Sequence, residues 1–408
     1  MENAGTIIIG AGQAGGEAAS SLRQLGYTKP ITLIGDEAFP PYRRPPLSKA
    51  YLAGEATRES LFLKSPEAWQ KAAIDGRFGV GVERIDRANK QVHLYDGTAL
   101  AYENLVIATG GRARRLALPG AEHANVFYVR TIQDAERLSD EFKPGAKLAV
   151  IGGGYIGLEA ASVGIQKGLR VTVIETAERV LARVAVPALS AFYERVHRSH
   201  GVDLRTGAGV RALEGKERVE AVVLGDGTKV EVDLVIVGIG LIPNIELAEA
   251  AGLQVGNGIV VDAHGRTSDP SIYAAGDCAL HENLFYGRHL RLESVPNAIE
   301  MGRLVAANIA GKETTYAAVP WFWSDQYALK LQMVGLSQGH TEIAVRGDMD
   351  GNSFIVFYLR DGEIIAADAV NRAQEFMLAK RLVGERRHVE AARLSDESAP
   401  LKALFAAA

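Results

Sequence analysis

Two stretches of this chain carry one ordered pattern: an apolar strand, a glycine turn, a helix, then a second strand tipped by an acid. The first runs Ile7-Ile8-Ile9, Gly10-Ala11-Gly12-Gln13-Ala14-Gly15, an Ala-rich segment to Leu25-Gly26, then Ile31-Thr32-Leu33-Ile34 and Gly35-Asp36-Glu37. The second runs Leu148-Ala149-Val150-Ile151, Gly152-Gly153-Gly154-Tyr155-Ile156-Gly157, a helix, then Val171-Thr172-Val173-Ile174-Glu175. Each letter has a mechanical reason. The first glycine makes a tight turn, the second lets a pyrophosphate approach backbone N–H groups at the helix start, and the third lets helix and strand pack closely. The acid, about twenty residues beyond the glycines, accepts ribose hydroxyls. A single GxGxxG is a weak sign, but two complete copies in order point to two dinucleotide sites.

The repeat extends past the glycines. Val92-His93-Leu94-Tyr95 and an Asp96-Gly97 turn lead to Leu105-Val106-Ile107 in the first half; Val219-Glu220-Ala221-Val222-Val223 and Asp226-Gly227 lead to Leu234-Val235-Ile236-Val237 in the second. Each half is therefore βαβ, a β-meander and a closing strand. Thr267-Ser268-Asp269-Pro270 and Ile272-Tyr273-Ala274-Ala275-Gly276-Asp277 then return an apolar strand with an Asp at its tip. The order implies an α/β fold with two Rossmann-like dinucleotide-binding domains, one inserted in the other. Residues 1–112 and 241–313 form the first, 113–240 the second, and 314–408 a C-terminal α+β domain built from strands such as Phe354–Leu359 around an Asp361-Gly362 turn.

Composition narrows the classes. The chain has 408 residues and a net charge of -4, which offers no global attraction to nucleic acid or anionic membrane. No apolar run reaches spanning length, and Met1 is followed almost at once by strand residues, so a cytoplasmic protein is expected. The lone Cys278 excludes an intrachain disulfide, a CxxC redox pair and a four-Cys metal site; it reads as a small buried filler, and no metal is expected.

Taken together, these motifs, with Arg44-Pro45-Pro46-Leu47-Ser48-Lys49, Glu293-Ser294-Val295-Pro296-Asn297, Pro320-Trp321-Phe322-Trp323-Ser324-Asp325-Gln326 and the terminal Asp396-Glu397-Ser398, resemble the FAD-dependent NADH:ferredoxin reductases. That family shares the domain plan of glutathione reductase. The likeness is to the putidaredoxin and biphenyl-dioxygenase types, and it covers essentially the whole chain. It implies FAD at the first fingerprint, NADH at the second, and a two-iron, two-sulfur ferredoxin docked partly on the last domain. Nicotinamide gives two electrons as hydride while the cluster accepts one, so a flavin must stand between them. Where dithiol reductases of this plan carry a redox Cys pair, this chain has Tyr42-Arg43-Arg44-Pro45-Pro46, so disulfide reduction is not expected.

The resemblance also implies roles. Gly10, Gly12, Ala14 and Gly15 would cradle the FAD pyrophosphate and Asp36 would bind the adenosine ribose, with Glu37 as the adjacent alternative. Arg44 and Lys49 would be flavin-side cations, Val82 and Arg130 would contact FAD, Asp277 the ribitol, and Val295 the ring system. Val295 inclines the likeness toward the putidaredoxin type. Gly152, Gly154 and Gly157 would hold the NADH pyrophosphate, and Glu175 favours NADH over NADPH because a carboxylate repels a 2′-phosphate, although Arg183 lies close by in sequence. Glu159 would pair with Lys49 beside flavin and nicotinamide. Arg303, Lys330, Lys380 and Arg381 are the candidate docking residues for an acidic ferredoxin, followed by Arg386 and Arg387. Trp323 suits the exposed flavin edge, and Trp321 and Trp323 equally suit the core. The expected system ends in a haem-thiolate monooxygenase; a Rieske dioxygenase system, a rubredoxin reductase and an NADH oxidase are the alternatives on the same fold. The oligomeric state is not readable, and a monomer is consistent with the sequence.

Overall fold

Runs of β-branched residues without polar alternation, such as Thr6-Ile7-Ile8-Ile9, suit strands covered on both faces, and these become the centre of a parallel sheet. The computed structural model describes residues 5–405. The chain divides into two compact units. One comprises the chain through Arg43, Arg58–Arg112 and Leu241–Pro320; the other comprises Arg44–Thr57, Ala113–Gly240 and the chain from Trp321 onward.

In the first unit the strands Ile74–Phe78, Ile31–Gly35, Gly5–Ile9 and Ala99–Ile107 lie side by side and parallel, and Ile272–Ala274 adds a further parallel neighbour to Ala99–Ile107. The antiparallel strands Gln91–Leu94 and Val82–Asp86 extend the sheet. The helix Gln13–Gln24 packs on the helix Val295–Ile309, and Gly302 permits their close approach: a Cβ there would lie 2.8 Å from the Ala14 carbonyl oxygen. Ile8, Leu22, Leu33, Val106 and Met301 are fully buried in this core.

The second unit repeats the plan. Asp203–Arg205, Arg170–Ile174, Lys147–Ile151, Leu234–Val237 and Val126–Phe127 form a parallel sheet, and Val210–Glu214, Ala221–Leu224 and Lys229–Glu231 form the meander. The same unit contains a five-stranded antiparallel sheet ordered Trp321–Gln326, Leu329–Gly335, Glu363–Val370, Ser353–Arg360 and Glu342–Asp348. Strands Ser353–Arg360 and Glu363–Val370 are buried over nearly their whole length: the helix Pro187–Ser199 shares an apolar cluster with Phe354, Val356 and Tyr358, and the helix Ala373–Gly384 packs against Glu363–Val370. The Asp361-Gly362 turn has φ of 52° and 79°, the left-handed pair that a two-residue hairpin requires. Among the described residues no helix is long and apolar enough to cross a membrane.

Candidate functional site

The two glycine turns adopt the same geometry. Gly10 has φ +111° and Gly152 +108°; a Cβ would lie 2.1 Å from the Ala108 carbonyl oxygen at the first and 2.4 Å from that of Gly238 at the second. Gly15 and Gly157 face the turn's own carbonyls, at 1.9 Å from Gly10 O and 2.2 Å from Gly152 O. The middle positions differ in kind. Gly12 and Gly154 are the N-caps of helices Gln13–Gln24 and Tyr155–Gln166, no side chain caps either helix, and a Cβ on either would meet nothing within 4 Å. Helix-start N–H groups without a cap, facing open space, fit a pyrophosphate.

The acids are held differently from what the sequence pattern suggests. Strand register pairs Ile9 with Ile34 and Ile151 with Ile174, so the structural counterpart of Glu175 is Gly35, and Asp36 lies one residue further on. Glu175 is fixed by the turn itself: Gly153 N–H donates to Oε2 at 2.6 Å and Ala177 N–H to Oε1 at 2.8 Å. Asp36 is exposed and, among the described residues, its Oδ1 accepts the neighbouring Glu37 amide at 3.1 Å. The Glu37 carboxylate receives the Tyr42 hydroxyl at 2.6 Å.

Asp277 leaves the short turn Gly276–Cys278, whose Gly276 (φ +81°) sits so close to Ala14 that a Cβ would be 2.9 Å from the alanine methyl. Asp277 and the glycine-capped helix start are thereby neighbours. Val295 opens the helix Val295–Ile309, whose N-cap Ser294 accepts from Asn297 N–H at 3.2 Å, and Val82 is buried at the start of its strand. Cys278 is fully buried beneath, its sulfur 3.5 Å from the Ala275 carbonyl, and burial pushes its thiol up.

In the second unit the tight Pro45–Ser48 turn brings Lys49 to Glu159, on the helix that the Gly154 turn starts. Lys49 Nζ lies 3.0 Å from Glu159 Oε1, with side-chain exposures of 17% and 4%. Ser48 donates to Oε2 at 2.9 Å and Ser324 to Oε1 at 2.6 Å. Burial raises the Glu159 carboxyl above its ordinary value; the Lys49 charge, then the Ser324 hydroxyl, oppose it. Arg44 donates to the Arg130 carbonyl at 2.6 Å, and the Arg130 amide is held by Asp134 at 3.1 Å. A buried carboxylate with two hydroxyl donors and an ammonium, on a glycine-capped helix, can hold fixed charge in a fixed orientation without itself exchanging covalent bonds.

The docking candidates are distributed over both units. Arg303 belongs to the first and pairs with Glu17 at 2.8 Å. Lys330, Lys380 and Arg381 belong to the second: Lys330 is exposed, Lys380 Nζ sits 4.8 Å from the Trp321 ring centre, and Arg381 pairs with Glu385 at 2.6 Å while lying over Phe405. Trp321 and Trp323 are half-buried and 5.7 Å apart, ring to ring.

Several participants escape a reading of the sequence. Ser48 and Ser324 are single hydroxyls inside motifs whose charged and aromatic letters draw the attention. Tyr155, the first residue of the Gly154-capped helix, donates its hydroxyl to Met333 Sδ at 2.8 Å and lies against Phe322. Its position immediately after three glycines is the one signal that could have flagged it.

Comparison with known proteins agrees with this architecture. Residues 5–302 match the pyridine nucleotide-disulphide oxidoreductase family and residues 321–405 the reductase C-terminal family. The chain is 50% identical to putidaredoxin reductase of Pseudomonas putida over 100% of its length and 98% of that protein. It is 46% identical to a ferredoxin–NAD(P)+ reductase of Sphingomonas, over 97% of this chain and 96% of that one. The structure of a covalent putidaredoxin reductase–putidaredoxin complex superposes with a TM-score of 0.97 at 50% identity, covering 100% of this chain and 99% of that one.

Proposed function

Because this chain belongs to the pyridine nucleotide-disulphide oxidoreductase family and ends in a reductase C-terminal domain, we propose that it is an NADH:ferredoxin reductase, delivering electrons singly to a two-iron, two-sulfur ferredoxin that serves a haem-thiolate monooxygenase. It is an oxidoreductase whose cofactors are FAD and NADH. FAD, when bound, would supply the conversion between a two-electron hydride donor and a one-electron acceptor. The observation that carries the reading is the buried Lys49–Glu159 pair, formed in a chain whose one cysteine is buried and has no thiol partner. A disulfide reductase needs a second sulfur; an electron splitter needs only fixed charge and fixed distance.

In this reading Gly10, Gly12, Ala14, Gly15, Asp36, Val82, Asp277 and Val295 serve FAD, and Gly152, Gly154, Gly157 and Glu175 serve NADH. Arg44, Arg130 and Lys49 act on the flavin side. The Tyr42–Glu37 bond supports Asp36 over Glu37 as the ribose acid, since it engages the Glu37 carboxylate. Lys49, held by Glu159, would supply positive charge to a flavin bound on its side. Residues 1–112 with 241–313, 113–240 and 314–408 remain the proposed FAD, NAD and C-terminal domains. Exposed Lys330 and half-buried Lys380, with Arg381, support docking of an acidic ferredoxin on the second unit, and Arg303 is the candidate docking residue on the first. A cytoplasmic monomer suits a protein that draws on NADH and holds no disulfide.

The test is NADH-dependent reduction of a purified two-iron, two-sulfur ferredoxin by the flavin-loaded protein, with NADPH and ferredoxin-free reactions alongside. Fast reduction that prefers NADH and weakens with salt is expected. Flavin reduction followed by electron flow only to oxygen would remove the ferredoxin assignment and leave both dinucleotide sites standing.

A further inference from the structure

A line of buried polar groups leaves the Lys49–Glu159 pair and runs outward within the same unit. Ser324 lies 2.6 Å from Glu159 Oε1, Gln326 Nε2 lies 3.2 Å from Ser324 Oγ, and His197 Nε2 lies 2.9 Å from Gln326 Oε1. The Tyr327 hydroxyl then lies 3.1 Å from His197 Nδ1, and the Tyr327 ring stacks on exposed His200 with centres 3.9 Å apart. Ser324, Gln326 and His197 are at most 1% exposed. Strand alternation explains how one element supplies two links: Ser324 and Gln326 share the inward face of Trp321–Gln326, and helix Pro187–Ser199 supplies His197. Ser162, one turn after Glu159 on its helix, pins the far end by accepting the Tyr327 amide at 2.8 Å. Four polar groups in a row through an apolar interior are costly unless each one is satisfied.

Hydrogen counting fixes the direction of every link. An ionised carboxylate only accepts, so the single Ser324 hydrogen goes to Glu159. Ser324 oxygen must then accept from the Gln326 amide nitrogen, which turns the Gln326 carbonyl toward His197. His197 therefore carries its hydrogen on Nε2, leaving Nδ1 to accept the Tyr327 hydroxyl. Burial, with the imidazole pKa pushed down to about 4, keeps that ring neutral and so able to accept. If Glu159 took up a proton and donated it to Ser324, each link would reverse and His197 would carry its hydrogen on Nδ1.

We propose that Ser324, Gln326, His197 and Tyr327 are positioning residues for Glu159: a one-way line of donors that keeps its carboxylate ionised and its Oε1 turned to Lys49, with the His197 tautomer reporting the charge on Glu159. This rests on the reading that the Lys49–Glu159 pair serves hydride transfer between NADH and FAD. The line is no proton wire in this direction, since every hydrogen points inward and an amide stands in its middle. Its effect is orientation and polarisation.

The test uses flavin-loaded protein labelled with 15N-histidine, the His197 ring signals being identified by their loss in His197→Asn. Wild type is expected to show the Nε2–H tautomer alone. Ser324→Ala, which cuts the line at its first link, is expected to produce a mixture of tautomers, because the Gln326 amide is then free to turn. A wild-type ring protonated on Nδ1, or a ring unmoved by Ser324→Ala, overturns the proposal. In parallel, Gln326→Leu and the gentler Tyr327→Phe are each expected to slow flavin reduction by roughly threefold to tenfold, the rate equivalent of one net hydrogen bond, with the NADH KM unchanged. Tyr327→Phe retains the stacked ring and removes only the outermost donor, so it tests the line even if the leucine variant does not fold. Unchanged reduction rates in both overturn the positioning role. If Glu159→Gln leaves flavin reduction unchanged while the tautomer still responds to Ser324→Ala, the hydride-site reading fails and the line survives only as structure. If Glu159→Gln slows reduction and the tautomer ignores Ser324→Ala, the line fails and the hydride-site reading stands.

Discussion

Removing the Lys49 charge should make the stability of this protein depend on pH in a calculable direction. Lys49→Met leaves Glu159, 4% exposed, with two hydroxyl donors and no counter-charge. Breaking a buried ion pair from one side costs about 3–5 kcal/mol. Water reaches the 17% of the lysine side chain that is exposed, so the lower end, about 3 kcal/mol, is expected at pH 8. At roughly 2–4 °C per kcal/mol for a unit of this size, the melting temperature should fall by about 6–12 °C. The Glu159 carboxyl is already raised by burial, and losing Lys49, its largest opposing influence, raises it further. Between the ordinary carboxyl range and that raised value the folded variant holds a proton the unfolded chain lacks, so stability falls as pH rises. The loss at pH 6 should therefore be well below that at pH 8. Combining Lys49→Met with Glu159→Gln leaves neither charge stranded and should recover most of the loss at pH 8. Calorimetry of the flavin-loaded wild type, both single variants and the double variant at both pH values decides the matter: equal losses at pH 6 and 8, or a double variant no better than Lys49→Met, would refute the reasoning.

Three further outcomes are expected. Gly154→Ala meets no protein atom and should fold normally, yet weaken NADH binding by roughly tenfold while flavin content stays wild type; Gly157→Ala, 2.2 Å from the Gly152 carbonyl, should instead lower the melting temperature, and matching behaviour of the two would contradict their separate roles. Asp368 is buried, its carboxyl pushed up to about 7 by that burial, with the Tyr358 hydroxyl opposing. Its folded value lies above the unfolded one, so it favours the fold at low pH and that contribution is lost as pH rises toward about 7; Asp368→Asn should flatten the melting temperature between pH 5 and 8, measured by calorimetry, and an unchanged slope would exclude it as the source. Arg303→Glu should raise the KM for an acidic ferredoxin by roughly fivefold and flatten its salt dependence without altering flavin reduction by NADH; stopped-flow and steady-state assays at two ionic strengths separate these effects.

Elements with a strict local code could be read from the letters: apolar quartets became parallel strands, and the first and third glycines of each turn fell where backbone would collide with any Cβ. Lys49 and Glu159 came from resemblance; the fold supplies the reason for them, since a Pro-Pro turn and a glycine-capped helix deliver two charges to one buried point. The remainder of the cluster lay outside any local rule. Ser324 is 165 residues from Glu159, and His197 is 129 from Gln326. Each is an ordinary polar letter until a strand and two helices pack together. Charge by position also misleads in isolation: Arg303 pairs with Glu17, 286 residues away, whereas the pairing of Arg381 with Glu385 follows from helical spacing alone.

The acid at the end of each nucleotide-binding strand shows how one pattern can cover two geometries. In the first copy the turn has Ala11 at its middle, and a side chain on Gly35 would place its Cβ 2.6 Å from the alanine methyl. The strand must therefore end in glycine, and the acid is deferred to exposed Asp36. In the second copy the middle residue is Gly153, which leaves room for Glu175 at the strand end and donates its own N–H to that carboxylate at 2.6 Å. The residue inside the turn thus decides where the acid can stand. On the proposed assignment this has a functional consequence: Glu175 would be locked before NADH, which binds and leaves in every turnover, arrives, so little ordering cost would fall on each binding event. An acid proposed to serve a cofactor that stays bound would be ordered once, and an exposed Asp36 would be sufficient for it.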